Sequence, residues 1–168
     1  MLRPAALDQG GLDVALRDLV RAAHDTSDVG PRAGAGGPGE IRYEVLGTPI
    51  PLPANVEMEL LRIAQAALTN AVQHAAASAV HVELAYERRR AAAGASDGRE
   101  ALATDGVRLA VTDDGRGFDG DDVPSGRFGL LGMSERAVRV GAVLTVVTAP
   151  GEGTQVVVMW RATSGGTA

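Results

Sequence analysis

The residues able to do chemistry fall in a few short stretches. Asp113 and Asp114 end an apolar run and open Asp-Asp-Gly-Arg-Gly over 113–117. Asn70 sits among alanines and leucines, with Thr69 before it and His74 four residues after it. Phe128-Gly129-Leu130-Leu131-Gly132-Met133 opens a second helical pattern, and Gly151-Glu152-Gly153-Thr154 closes a late hairpin. A carboxylate at the end of a buried strand must be hydrogen-bonded or paired. The amino group of a planar heterocycle, such as adenine N6, is a suitable donor. Asp and Gly are also ordinary turn material, so either aspartate can simply cap the strand. The amide of Asn70 needs partners as well, from a neighbouring helix, the surface or a ligand. Glycine before a helix start exposes backbone N–H groups, which serve as an anion site or as plain capping.

The elements that must position these groups are legible in the hydrophobic periodicity. Leu12, Leu16, Leu19, Val20 and Ala23 mark one short amphipathic helix after Gly10-Gly11. The start at Met1-Leu2-Arg3-Pro4 fits a domain cut from a longer chain. Ile41 to Leu46 alternates as a strand. Asn55 reads as a helix cap, with Glu57 and Glu59 in the favourable first turn. The helix is expected to run to about Ala76, burying Leu60, Ile63, Ala64, Ala67, Leu68 and Ala71. At 100° per residue, Arg62, Ala66, Asn70 and Gln73 lie on one flank of that stripe, with His74 at its border. Strands are expected at Ala79–Tyr86, with His81 facing solvent, and at 107–113, 143–148 and 154–160. The helix opened by Gly129 should end near Val140, closed by Gly141. Hairpins outnumber crossovers, so the expected fold is α+β. It is a two-layer sandwich whose mixed, largely antiparallel sheet is covered by helices on one face.

Domain boundaries follow. Residues 1–28 are a short helical appendage, 29–39 a flexible Gly/Pro linker, 40–161 the folded domain and 162–168 a disordered tail. Residues 87–106 read as a long loop and 119–128 as a mobile acidic one.

Composition removes several function classes. The net charge is −5, and the one basic run, Arg88-Arg89-Arg90, sits in Ala/Gly-rich sequence, so no nucleic-acid surface is expected. Cysteine is absent, which rules out thiolate chemistry and Cys-ligated zinc. His24, His74 and His81 have no metal-ligand spacing. No apolar run reaches spanning length, so no membrane contact by this domain is expected.

The order of the motifs resembles the catalytic, ATP-binding domain of bacterial sensor histidine kinases, within the ATPase superfamily shared with gyrase, Hsp90 and MutL. Arg62 to Ala75 is similar to the Asn-bearing helix motif, and Asp113 to Phe118 to the adenine-binding motif. Gly129 to Arg136 resembles the second glycine motif of the subfamily paired with NarL-type response regulators, and Gly151 to Thr154 the last motif. Leu2-Arg3-Pro4 and the first helix resemble the segment after the dimerisation helices.

The resemblance implies ATP and Mg²⁺ as cofactors. Asp113 would accept from adenine N6, supported by Thr154, with Gly115 and Gly117 leaving room for the base. Asn70 would bind magnesium, while Thr69 and His74 line the pocket. Backbone around Gly129, Leu130 and Gly132 would hold the phosphates under a short lid that includes Arg127. The γ-phosphoryl would pass to a histidine in a dimerisation domain absent from this chain, and then to a regulator aspartate. A cytoplasmic, monomeric domain is implied, whose parent is soluble or membrane-anchored. The chain alone should phosphorylate itself poorly or not at all. His24-Asp25 has an acceptor-like pairing but leads straight into the linker, and is not read as the acceptor.

Two positions depart from the pattern. Ala66 stands where the family carries Glu, and a methyl cannot assist proton transfer. Arg127 replaces a glycine. The rival readings are an anti-sigma-factor-like serine kinase and a degenerate nucleotide-binding or protein-interaction module without turnover.

Overall fold

The computed structural model describes residues 5–27, 39–88, 105–119 and 128–162. The element order is α1 (Ala5–Ser27), β1 (Glu40–Leu46), α2 (Ala54–His74), β2 (Ala79–Arg88), β3 (Asp105–Asp113), α3 (Phe128–Arg139), β4 (Val143–Thr148) and β5 (Thr154–Arg161). The expected linker, the centre of the long loop, the acidic loop with Arg127, and the tail lie almost wholly outside the described residues.

The five strands form one sheet in the order β1-β2-β3-β5-β4. β1 pairs with β2 in parallel, the α2 crossover lying between them, and every other pairing is antiparallel. This is the mixed, one-side-covered sheet expected from the sequence. One face of β2, β3 and β5 presents Val80, Val82, Leu84, Val107, Leu109, Val111, Val156 and Val158, all buried against the helices. The other face carries His81, which lies 3.6 Å from Glu44 across the parallel pair. Val143 and Val147 of β4 are exposed on that same side.

α2 is the central helix. Its expected stripe is buried in full and is extended by Val56 and Glu59. Its start differs from expectation. Pro53 occupies the cap position, and its carbonyl accepts from the Val56 and Glu57 N–H groups at 2.9 and 3.1 Å. Asn55 is therefore inside the helix and caps nothing. The fixed φ of proline suits the entry to a helix, and no side chain is needed to set it. Glu59 is also not a solvated first-turn acid, as described below.

α1 continues on both sides of a break at Gly11, where φ is 69°. Leu7, Leu12, Ala15, Leu16 and Val20 join the same core as α2 and the sheet. Its attachment is partly polar. The Tyr43 hydroxyl on β1 donates to Asp13 Oδ1 at 2.9 Å, and burial with this bond pushes the phenol pKa far above its ordinary value. Among the described residues, no helix is long and apolar enough to cross a membrane.

Candidate functional site

β3 runs through the middle of the sheet and ends at Asp113, so its apolar alternation carries a carboxylate to the helix-covered side. Asp113 is only 8% exposed. Its Oδ1 accepts from the Gly115 N–H at 3.0 Å, and the Thr154 backbone supplies a second hydrogen bond. Burial raises its pKa and the nearby Asp114 charge adds to the rise, because these two hydrogen bonds do not offset the lost hydration. A carboxylate has about four acceptor positions, so this one retains capacity toward the adjoining space.

That space is a cavity of about 370 Å³. Ala67, Val111, Leu130 and Val156 give it apolar walls, and Asp113 and Thr154 lie along one side. Asn70 and His74 of α2, together with Arg116, add polar and cationic groups. Gly129, in the first turn of α3, also lines it. A Cβ placed on Gly129 would sit 3.5 Å from the Asn70 amide, so the start of α3 and the Asn70 side chain are neighbours. An apolar cavity with a few convergent polar groups is the usual form of a small-molecule site.

The two adjacent aspartates have separate duties, and the sequence assigned Asp114 no role beyond capping. Asp114 is exposed, and its Oδ1 accepts from the N–H groups of Ser78 and Ala79 at 2.8 and 2.9 Å, while the Ser78 hydroxyl donates to Oδ2. These bonds, the Ser78 hydroxyl first, hold its carboxyl below the usual range. Asp114 thus ties the end of β3 to the start of β2, while Asp113 faces the cavity.

The glycines of the motif are required by packing. A Cβ on Gly115 would strike the Ala75 carbonyl, and the Arg116 N–H donates to that same carbonyl at 2.8 Å. Gly115 therefore makes room for the end of α2. Gly117 has φ 56°, and a Cβ there would meet the Ala149 carbonyl. The Gly151 N–H donates to the Arg116 carbonyl at 2.7 Å, so the hairpin after β4 holds the loop from the other side. Thr148 completes this lock, accepting from Phe118 N–H and donating to Gly153 O.

The structure brings together Asn70, His74, Asp113, Gly117, Gly129, Leu130 and Thr154. It does not place Thr69 with them. Thr69 points elsewhere around α2, its hydroxyl donating to the Gln65 carbonyl at 2.7 Å, and it lines a separate groove with Leu19, Leu68 and Val72. Gln73 lies in that groove too. Adjacent helical residues point 100° apart, so Thr69 cannot share Asn70's face. Gly132 is not part of the cavity wall, and nothing stands within 4 Å of a Cβ built on it. The Thr154 hydroxyl lies 3.2 Å from Thr148 Oγ1, so it is the backbone of Thr154 that bonds Asp113. Arg127 lies outside the described residues. Sequence reasoning missed Arg116, Ala67 and Val111 as wall residues. The helical phase of Ala67 relative to Asn70 and His74 carried the signal for one of them.

Residues 55–164 match the family described as histidine kinase-, DNA gyrase B-, and HSP90-like ATPase. The chain belongs to this family. It is 28% identical over 157 residues to the signal transduction histidine-protein kinase/phosphatase DegS of Brevibacillus brevis, covering 94% of this chain and 34% of that one. It is 32% identical over 155 residues to the sensor histidine kinase LiaS of Bacillus subtilis, covering 92% and 35%. The chain thus spans about a third of the length of these relatives. Among solved structures, the histidine kinase domain of the Erythrobacter litoralis EL346 blue-light activated histidine kinase superposes with a TM-score of 0.57 at 25% identity, over 88% of this chain and 63% of that one. The fold, the family and these relatives identify an ATP-binding catalytic domain of the sensor histidine kinase type.

The cavity fits that assignment on its own features. A purine needs an acceptor for its amino group between apolar walls, and Asp113 with Ala67, Val111 and Val156 supplies both. An anionic tail needs donors or cations, and Arg116, His74 and the start of α3 supply them.

Proposed function

We propose that this domain transfers the γ-phosphoryl of ATP to a histidine of a dimerisation domain outside this chain, for relay to an aspartate of a NarL-type response regulator. The observation that carries the reading is the half-satisfied, buried Asp113 in the same cavity as Asn70 and the first turn of α3. In this reading Asp113 accepts from adenine N6, and Gly117 keeps the loop close enough for it to do so. Asn70 offers an amide oxygen to Mg²⁺. Among the described residues no group of three or more His, Cys, Asp or Glu is placed to hold a metal. Magnesium would therefore complete its shell with phosphate oxygens and water, as is usual for Mg²⁺ at phosphate sites. When bound, it neutralises the tail and orients it. His74, Gly129 and Leu130 would flank the phosphates.

Transfer breaks the bond between the γ-phosphorus and the bridging oxygen and forms one from phosphorus to an imidazole nitrogen, releasing ADP. Such chemistry needs positioning and charge stabilisation more than reactive side chains. The imidazole proton needs a base, and Ala66, partly buried against the core, offers none. We assign the base to the acceptor domain. The same residue supports the second reading, a module that binds nucleotide without turnover.

The test begins with a calorimetric titration of ATP with and without magnesium. Binding should be strengthened by magnesium in the native chain, and that increment should vanish in Asn70→Ala. The chain is then mixed with a histidine-bearing dimerisation domain and labelled ATP. Alkali-stable, acid-labile label supports transfer to histidine. Acid-stable label favours a serine kinase. Binding without label in the native chain, with label appearing only in Ala66→Glu, favours the module.

A further inference from the structure

α3 meets α2 at both of its ends, in reverse order. At its start, Gly129 lies against the Asn70 amide. At its far end, Arg136 and Arg139 reach Glu59, near the beginning of α2. Arg136 Nη1 is 3.1 Å from Glu59 Oε2, and Arg139 Nη1 is 2.8 Å from Oε1, so each carboxylate oxygen has its own guanidinium. Glu59 and Asn70 are eleven residues apart, which is about 16 Å along the helix. The apolar attachment of α3 between these ends is slender. Among its described side chains Met133 and Ala137 are fully buried and Leu130 is partly buried against the core, while Leu131 and Val138 face solvent.

We propose that Glu59 is a positioning residue for the phosphate end of the nucleotide site. Through Arg136 and Arg139 it fixes the direction of α3, and so the distance at which Gly129 and Leu130 stand from Asn70. A two-armed ion pair resists rotation of the helix in a way that Met133, Ala137 and the partly buried Leu130 do not. None of the three residues lines the cavity, so their effect on binding travels through the helix. The inference rests on the ATP reading above.

It also separates the two ends of the ligand. Asp113 is held by Gly115 and Thr154, neither of which belongs to α3. Loss of the clamp should therefore weaken the hold on phosphates and spare the hold on the base.

The experiment is titration of Mg-ATP, and separately of adenosine, into the native chain, Glu59→Gln and Arg139→Gln, with native folding checked by circular dichroism. Glu59→Gln should weaken Mg-ATP about tenfold and Arg139→Gln about threefold, with adenosine affinity held within about twofold, as expected of a small misplacement of one wall. Arg139 is half exposed, and its variant carries the test if Glu59→Gln does not fold. Equal weakening of both ligands would overturn the proposal. So would unchanged Mg-ATP affinity in a folded variant with a lowered melting temperature, since the cluster would then be a strut and no more. A native chain that binds adenosine and Mg-ATP, with only the variants failing to discriminate, refutes this inference and leaves the parent reading standing. A native chain that binds neither overturns both.

Discussion

Glu59 and Asp113 are the two buried charged residues among those described, and they are buried to nearly the same depth, 7% and 8% exposed. Their surroundings differ. Both oxygens of Glu59 are matched by arginines, and although burial opposes ionisation, the paired guanidinia hold its pKa below the ordinary value. Asp113 is met by two backbone N–H groups and no cation, and burial raises its pKa. Equal burial therefore means opposite things. A saturated acid joins two helices, while an acid left with acceptor capacity beside a cavity is ready for a ligand.

The largest expected effect breaks the comparison if it is absent. Glu59→Ala removes both charge-assisted hydrogen bonds between α2 and α3 and should cost about 2–3 kcal/mol of folding stability, seen in urea or thermal unfolding. Asp113→Ala should cost less than about 1 kcal/mol of stability but weaken ATP at least roughly thirtyfold, by loss of a hydrogen bond to a charged group. Unchanged ATP affinity in Asp113→Ala would remove the pocket assignment.

Gly115→Ala sharpens the role of the backbone donors. Its new methyl would press on the Ala75 carbonyl and displace the N–H that serves Asp113. A cost of about 1–3 kcal/mol in stability is expected, with weaker nucleotide binding in calorimetry.

The two acids should also show opposite pH slopes. The folded pKa of Glu59 is depressed, so its stabilisation is present above the ordinary value of 4.5 and is lost as pH falls through the folded pKa. The stability gap between native chain and Glu59→Gln should therefore close in acid. The folded pKa of Asp113 is raised above 3.8, so its ionised form opposes folding, and the opposition fades as pH falls through the raised value. Asp113→Asn should accordingly be at least as stable as the native chain near pH 7, with the difference disappearing in acid. Parallel slopes in unfolding titrations would contradict the contrast.

The smallest effect concerns the groove side of α2. Thr69→Val should change ATP affinity by less than about twofold, because the hydroxyl serves the Gln65 carbonyl and not the cavity. A larger loss would return Thr69 to the site.

Particular residues show where the sequence was sufficient. The strand ending at Asp113 was legible because alternating valines and leucines set both the strand and the face on which its last residue falls. The stripe from Leu60 to Ala71 was legible for the same reason at helical period. Gly141 closes α3 as expected, with φ 68° and an N–H that donates to Val138 O at 3.1 Å. The α+β class and the order of motifs followed from these patterns.

Other assignments needed the third dimension. Thr69, Gly115 and Gly132 sit inside recognisable motifs, but a motif lists neighbours in sequence and does not say which share a wall. The alternation of β3 marks Asp113 as the inward acid, but what Asp114 does is decided by the reach of Ser78 from another loop. Glu59 reads as a first-turn acid until α3 folds back over 77 and 80 residues of chain to bring Arg136 and Arg139 to it. Local periodicity fixes which face of an element is apolar, because each residue's direction depends only on its own backbone. Whether a buried polar group is satisfied depends on partners that the chain supplies from far away, and tertiary packing alone brings those within hydrogen-bond range.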